Sequence, residues 1–148
     1  MRIGMISSEI SPLAKTGGLA DVVGSLSVAL KQLGHELCLI MPAYRSTLQD
    51  GFALKNLTLD VSVPLSDRQE TASVLQAQIG RDVMVYLVRA DRYFDREFLY
   101  GTKQGDYADN LARFVFLTRS ALEILRHEQV ELIHCHDWQT ALAPVFLR

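Results

Sequence analysis

The amino-acid sequence predicts an α/β fold, with a mostly parallel sheet, helices on both faces and a β-hairpin insertion. Three observations carry this reading. Residues 37–41 and 83–88 are continuous apolar runs, as strands covered on both faces are. An earlier apolar run, a glycine loop and an amphipathic helix precede the first of these, which makes a βαβ unit with a right-handed crossover. Between residues 54 and 89 the pattern shifts to alternation, the mark of antiparallel strands with one wet face, before the chain returns to the sheet.

The elements follow in order. Residues 2–7 are short, apolar and rich in strand formers, and lead into a loop from Ser8 to Gly18 that holds Pro12 and ends in Gly17-Gly18. From Leu19 to Leu33, the residues Leu19, Val22, Val23, Leu26, Ala29, Leu30 and Leu33 recur at spacings of three and four, which predicts a helix stopped by Gly34. Residues 37–41 form the second strand, closed by Pro42. Leu57–Val63 alternates as a half-exposed strand, Thr71–Ile79 is a weaker candidate for its partner, and Val83–Val88 is a buried strand. Residues 91–105 read as a loop dense in aromatics and charge (Tyr93, Phe94, Phe98, Tyr100). A long helix is expected from Asp106 to about Glu128, with Leu111, Phe114, Val115, Thr118, Ala121, Leu122 and Leu125 as its buried stripe. Leu132–Cys135 is the next strand and Trp138–Leu147 the last helix.

The 148 residues allow one domain and little more, and 49% hydrophobic content is normal for a folded one. Fifteen Lys and Arg stand against 17 Asp and Glu, so no basic excess points to nucleic acid. Two cysteines, Cys38 and Cys135, are too few for a disulfide framework. The apolar start is too short for a signal-peptide core, and no run approaches the roughly 18 apolar residues of a membrane span. A soluble, cytoplasmic protein with no membrane partner is expected. The sequence stops at Phe146-Leu147-Arg148 within an apolar pattern, with no terminating Gly, Pro or polar tail. Either the last helix closes abruptly or the chain is part of a longer protein.

In open α/β sheets, ligands bind in the loops beyond the carboxyl ends of the strands. Two such loops stand out. In Lys15-Thr16-Gly17-Gly18-Leu19-Ala20-Asp21, glycines at a helix start permit close backbone approach and the dipole favours an anion. Lys15 adds a full positive charge, so a phosphate or diphosphate fits. The plainer reading is that the glycines only turn the chain into the helix, with Lys15 solvated; the spacing matches neither GxGxxG nor a P-loop and leaves both open.

The second loop is His134-Cys135-His136-Asp137-Trp138. If residues 134–136 are extended, the histidines face one way and Cys135 the other. A zinc site needs a further ligand nearby, which the scattered His35, His127 and Cys38 do not offer, so no metal or other cofactor is expected. A Cys–His–Asp nucleophile fails because adjacent strand residues cannot set base against nucleophile. The remaining reading has His136 and Asp137 projecting into a ligand crevice, with Trp138 packing the next helix. Asp137 could also simply cap that helix. Taken singly, Glu9 reads as structural, and a charge–dipole role alone would explain Asp21. Tyr107, Asn110 and Arg113 could face the same crevice; for Arg113 the plain alternative is a surface ion pair with Asp109, worth little.

At this point a resemblance becomes specific. The run from Ser8 through Lys15-Thr16-Gly17-Gly18-Leu19-Ala20-Asp21-Val22 resembles the start of bacterial glycogen synthases, the family shared with plant starch synthases. Met41-Pro42-Ala43-Tyr44, Tyr93-Phe94-Asp95-Arg96, Leu99-Tyr100-Gly101, Asp106-Tyr107, Asp109-Asn110, Arg113-Phe114 and His134 to Thr140 continue it in the family's order, across nearly the whole chain. The resemblance implies a Rossmann-like fold and a retaining glucosyltransferase built of two such domains. That enzyme would move glucose from ADP-glucose to the non-reducing end of an α-1,4-glucan, without a metal.

It also implies roles. Lys15 and the Gly17-Gly18 backbone would meet the donor's diphosphate and glucose, Asp21 and Asp137 would line the same cleft, and His136 belongs to that motif. Asp137 and His136 are the catalytic candidates, Lys15, Gly17, Gly18 and Asp21 the donor-binding ones, and Glu9 lies towards the acceptor side. Cys135, where the family commonly has a small residue, is read as packing. On this reading residues 1–148 are an incomplete N-terminal domain lacking the second nucleotide-binding domain, and are inactive alone. An exposed sheet edge at 132–135 would then invite self-association. The alternative from another class is a non-catalytic module that binds a nucleotide sugar or glucan.

Overall fold

The computed structural model of the chain describes residues 1–147, so Arg148 lies outside the described residues. The chain runs β1 (Arg2–Ile6), α1 (Gly18–Gln32), β2 (Glu36–Pro42), α2 (Arg45–Gln49), β3 (Lys55–Leu65), β4 (Arg68–Ile79) and β5 (Val83–Arg89). It continues through α3 (Asp91–Phe94), β6 (Gly101–Thr102), β7 (Gly105–Asp106), α4 (Asn110–His127), β8 (Leu132–Cys135), a 3₁₀ turn (Trp138–Thr140) and α5 (Ala143–Phe146). Six strands form one sheet in the order β3-β4-β5-β2-β1-β8. β5, β2, β1 and β8 pair in parallel, while β4 pairs antiparallel with both β3 and β5. This is the expected mostly parallel sheet with a hairpin inserted at one end.

The central strands β1, β2 and β5 are buried along nearly their whole length, as their unbroken apolar runs require. α1 joins β1 to its neighbour β2, whereas α4 returns from β5 across the sheet to β8. Right-handed crossovers in opposite directions put the two helices on opposite faces. Gly4 of β1 lets α4 come close, since a Cβ there would lie 2.6 Å from the Leu125 side chain. α1 ends as Gly34 predicts. Gly34 has φ +87°, its N–H donates to the Lys31 carbonyl (3.0 Å), and the His35 N–H donates to that of Leu30 (3.1 Å).

Four expectations change. The long helix begins at Asn110, because Asp106 pairs with Gly101 in the small hairpin β6–β7, and residues 91–94 are helical rather than loop. Its buried face is rotated: Leu111 is 72% exposed, while Arg113, Phe116, Leu117, Ser120 and Ile124 join Phe114, Thr118, Ala121 and Leu125 inside. α4 is covered by the sheet, by β3 and by the 138–146 segment, so its apolar stripe is broader than one face. Finally, Trp138–Leu147 is not one helix. Pro144 lacks the N–H that would donate back to Thr140, and the segment splits into the 3₁₀ turn and α5.

The loop after β1 is packed rather than free. Ile10, Leu13 and Ala14 are buried, Thr47 Oγ1 donates to the Leu13 carbonyl (2.9 Å), and Ser11 N–H donates to the Ala20 carbonyl (3.1 Å). The last contact brings the loop onto α1 at Gly24, where a Cβ would sit 2.9 Å from the Ser11 carbonyl oxygen. A mid-helix Gly→Ala change ordinarily gains about 1 kcal/mol of stability. Here Gly24→Ala should instead lower the unfolding midpoint in urea, because backbone rather than a flexible side chain meets the new methyl. A raised midpoint would show that the loop is not held against α1.

Candidate functional site

The carboxyl ends of β1 and β8 lie side by side, and from them the chain leaves towards opposite faces of the sheet, to α1 and to the 138–146 segment packed on α4. That divergence opens a crevice where doubly wound sheets bind ligands. The loop holding Lys15, Gly17 and Gly18 forms one side of it and residues 136–138 the other. The 95–106 segment adds Tyr100.

Glu9 organises the first side. It is 3% exposed, and every donor around its carboxylate belongs to the site. Oε2 accepts from the N–H groups of Thr16 (2.5 Å) and Gly17 (3.3 Å), while Oε1 accepts from Thr16 Oγ1 (2.7 Å) and the Tyr100 hydroxyl (2.6 Å). Burial alone would push its pKa up, but the hydrogen bonds from Tyr100, Thr16 and Gly17 outweigh it and hold the carboxyl below its ordinary range. Ser8 Oγ lies 2.8 Å from the same Tyr100 hydroxyl, whose pKa is pushed up by burial and by its bond to Glu9. Glu9 thus shapes the loop from beneath.

The donor-site candidates divide. Gly17 spends its N–H on Glu9, and nothing lies within 4 Å of where a Gly18 Cβ would be. α1 starts without a side-chain cap, which leaves its first-turn N–H groups to an anion or water. Lys15 and Asp21 find each other: Nζ lies 2.8 Å from Oδ1 and 2.7 Å from Oδ2, with both side chains about half exposed. Such a pair contributes little to stability and can exchange partners.

On the other side, the histidines do face one way, their rings stacked 4.1 Å apart. His136 is 7% exposed, its N–H donates to the Ile6 carbonyl (3.0 Å), and its Nε2 has no partner among the described residues. Burial, with the neighbouring His134, pulls its imidazole down to about 4, so it is neutral at pH 7. Asp137 is exposed, with its carboxylate near enough to Tyr100 to raise that phenol's pKa. Its backbone sits at φ 62°, ψ −178°, a region all but reserved for glycine, and its Oδ1 accepts from the Trp138 N–H (2.7 Å). The capping role is therefore real, for the 3₁₀ turn rather than a long helix.

Sequence reasoning missed two residues. Tyr100 closes the Glu9 network, whereas its place in an aromatic loop and in the Leu99-Tyr100-Gly101 block had given it no role. Trp138, expected to pack the following helix, is 54% exposed and meets Phe114 of α4 edge-on at 5.3 Å. Arg113 is neither at the surface nor in the crevice, and Asp109 pairs with Arg96 instead, through two contacts of 2.9 and 2.5 Å. A hollow of about 410 Å³ opens beside Thr16 and Tyr100, between Phe98 and Lys103. Another, of about 450 Å³, runs along α1 past Ser11, Asp21 and Ser25. Both cysteines are free, and Cys38 is buried with its thiol pushed up to about 12. Among the described residues no three His, Cys, Asp or Glu side chains converge as a metal site would need, and no helix is long and apolar enough to cross a membrane.

Residues 2–148 match the family described as the starch synthase catalytic domain. The chain belongs to that family. Similar proteins include glycogen synthase 2 of Geobacter sulfurreducens, 43% identical over 150 residues, and the glycogen synthase of Syntrophotalea carbinolica, 44% identical. In each case all of this chain is matched to 31% of the relative, so it spans under a third of their length. Among solved structures, the catalytic domain of starch synthase IV from Arabidopsis thaliana, bound to ADP and acarbose, superposes with a TM-score of 0.84. That match is 30% identical and covers 98% of this chain and 30% of that one. The starch synthase fold is thus present here in its first part, with an α/β sheet of the Rossmann-like kind.

The buried imidazole makes stability depend on pH in this family member. His136 is neutral when folded, with its pKa lowered to about 4, but takes up a proton near its ordinary value of about 6.5 when unfolded. The unfolded state binds more protons between those values, so its contribution is whole above about 6.5 and is lost as pH falls towards about 4, up to about 3 kcal/mol. Urea unfolding followed from pH 7.5 to 4.5 should show this decline, and His136→Phe should flatten it. An unchanged slope in the variant would place the imidazole in contact with water.

Proposed function

We propose that the chain forms the first part of a retaining glucosyltransferase that extends α-1,4-glucans from ADP-glucose in the cytoplasm. The remainder of this first domain and a second nucleotide-binding domain would supply the facing wall of the crevice. The observation that carries the reading is the loop Lys15–Gly18, fixed by Glu9 at an uncapped helix start, facing a strained Asp137. The relationship to starch synthase IV, whose structure holds ADP and acarbose, supports a nucleotide and a glucan as the ligand classes.

The chemistry follows from charge. Departure of ADP from glucose leaves a negative diphosphate and a positively charged, oxocarbenium-like sugar. Lys15, turning from Asp21 to the diphosphate, and the N-terminus of α1 with Gly18 would stabilise the first. Asp137, its carboxylate oriented by the Trp138 N–H, would stabilise the second, and Asp21 would line the same cleft. The neutral His136 would back the same wall behind Asp137, its own Nε2 being buried. Glu9 would act on the acceptor side through the shape of the loop and through Tyr100, because its own oxygens are already engaged.

The free edge of β8 is a second consequence. β8 pairs only with β1 among the described residues, and its own Leu132 is exposed, as are Val145 and Leu147 in the last segment. Another strand of the same protein or a second copy of the chain would complete it. Light scattering of the purified chain should therefore show self-association, and a clean monomer at all concentrations would count against it. For the donor site the test is calorimetry. ADP-glucose should bind the chain, with Lys15→Ala weakening it by roughly tenfold or more. Equal binding by both proteins would remove Lys15 from the donor site.

A further inference from the structure

α4 carries a charged side chain at a position where a helix packed on a sheet ordinarily carries an aliphatic one. Arg113 is fully buried, and no carboxylate pairs with it among the described residues. Its partners are neutral: Nε donates to the Tyr93 carbonyl (2.7 Å), and Nη1 to the Leu99 carbonyl (2.9 Å) and to Asn110 Oδ1 (2.7 Å). The guanidinium also lies 5.0 Å from the centre of the Tyr107 ring and 5.4 Å from that of Phe114. Burying a charge without a counter-ion is costly, and the three neutral acceptors around the fork are what offset that cost.

What the fork does is tie both ends of the 93–99 segment to one helix. Asn110, held by the same guanidinium, donates from Nδ2 to the Tyr100 carbonyl (2.8 Å), where the Tyr107 N–H also donates (3.0 Å). Tyr100 is thereby fixed at its backbone, and its hydroxyl reaches Glu9. Glu9 in turn holds the N–H groups of Thr16 and Gly17. We propose that Arg113 is the positioning residue of the crevice, setting the Thr16–Gly17 backbone through Asn110, Tyr100 and Glu9 without itself meeting a ligand. A lysine could not replace it, because one ammonium cannot span carbonyls that two guanidinium nitrogens reach in fixed geometry.

The consequence for donor binding rests on the reading of the crevice given above; the relay itself does not. Residue-resolved amide hydrogen exchange on the chain separates them. In Arg113→Lys and in Asn110→Ala, the Thr16 and Gly17 amides should exchange roughly tenfold faster, while those of Leu39 and Ile40 in β2 stay within about twofold. Unchanged Thr16 and Gly17 amides beside a loosened 93–100 segment would overturn the relay. Acceleration of all amides together would overturn it too, by making Arg113 a residue of the core alone. If Arg113→Lys does not fold, Asn110→Ala and Tyr100→Phe interrupt the same path further along and are read by the same amides. In parallel, ADP-glucose affinity should fall in step with the exchange at Thr16 and Gly17. Failure of the wild-type chain to bind ADP-glucose, with the exchange pattern intact, would sink the donor reading and leave the role of Arg113 standing.

Discussion

A single buried carboxylate holds the crevice end of this molecule together. Glu9 follows the first strand, is almost wholly removed from water, and accepts from two backbone N–H groups and two hydroxyls. An ionised carboxylate left unpaired in that position would be unaffordable, whereas one surrounded by donors is more acidic than in water. Its four partners come from two places far apart in the sequence: the glycine loop before α1 and the Tyr100 segment, 91 residues along the chain. The loop's conformation is therefore not a property of its glycines. It is imposed by the carboxylate below and, at one remove, by whatever fixes Tyr100.

The sheet decides where this happens. Because β1 and β8 are neighbours whose continuations leave to opposite faces, their ends cannot be covered by a connection, and polar side chains can stand there without filling the core. The hairpin β3–β4 lies at the far edge of the sheet, where β3 packs on α4. Family membership adds that the same frame occurs in glycogen and starch synthases, and that this chain corresponds to under a third of the bacterial relatives.

Elements governed by local rules were legible in the amino-acid order. The helix from Gly18 with its glycine stop at Gly34, the buried strands β2 and β5, and the alternating β3 all follow from periodicity and backbone preference. So did the facing pair of histidines. What was not legible depended on distant partners. Glu9 reads as an ordinary loop acid until Tyr100 is beside it, and Arg113 reads as a surface cation until the 93–99 segment folds over it. The buried face of α4 was misplaced for the same reason: a helix enclosed on several sides shows no clean stripe, and Leu111 fits a periodic pattern that the packing ignores. Pro144 was the exception, a local signal that was present and passed over.

The pairing of Lys15 with Asp21 bears on what it means for the crevice to be ready. The loop's one full positive charge is already neutralised by a neighbour in the same segment. An anion arriving there would make a substitution rather than an addition: the lysine would leave one carboxylate as it took up another acid. The gain is the difference between two ionic contacts, and salt screens both of them. Anion binding at this loop should therefore weaken less with ionic strength than a lone lysine would suggest. The Asp21 carboxylate set free in that exchange would become an available hydrogen-bond acceptor only with a ligand in place to use it.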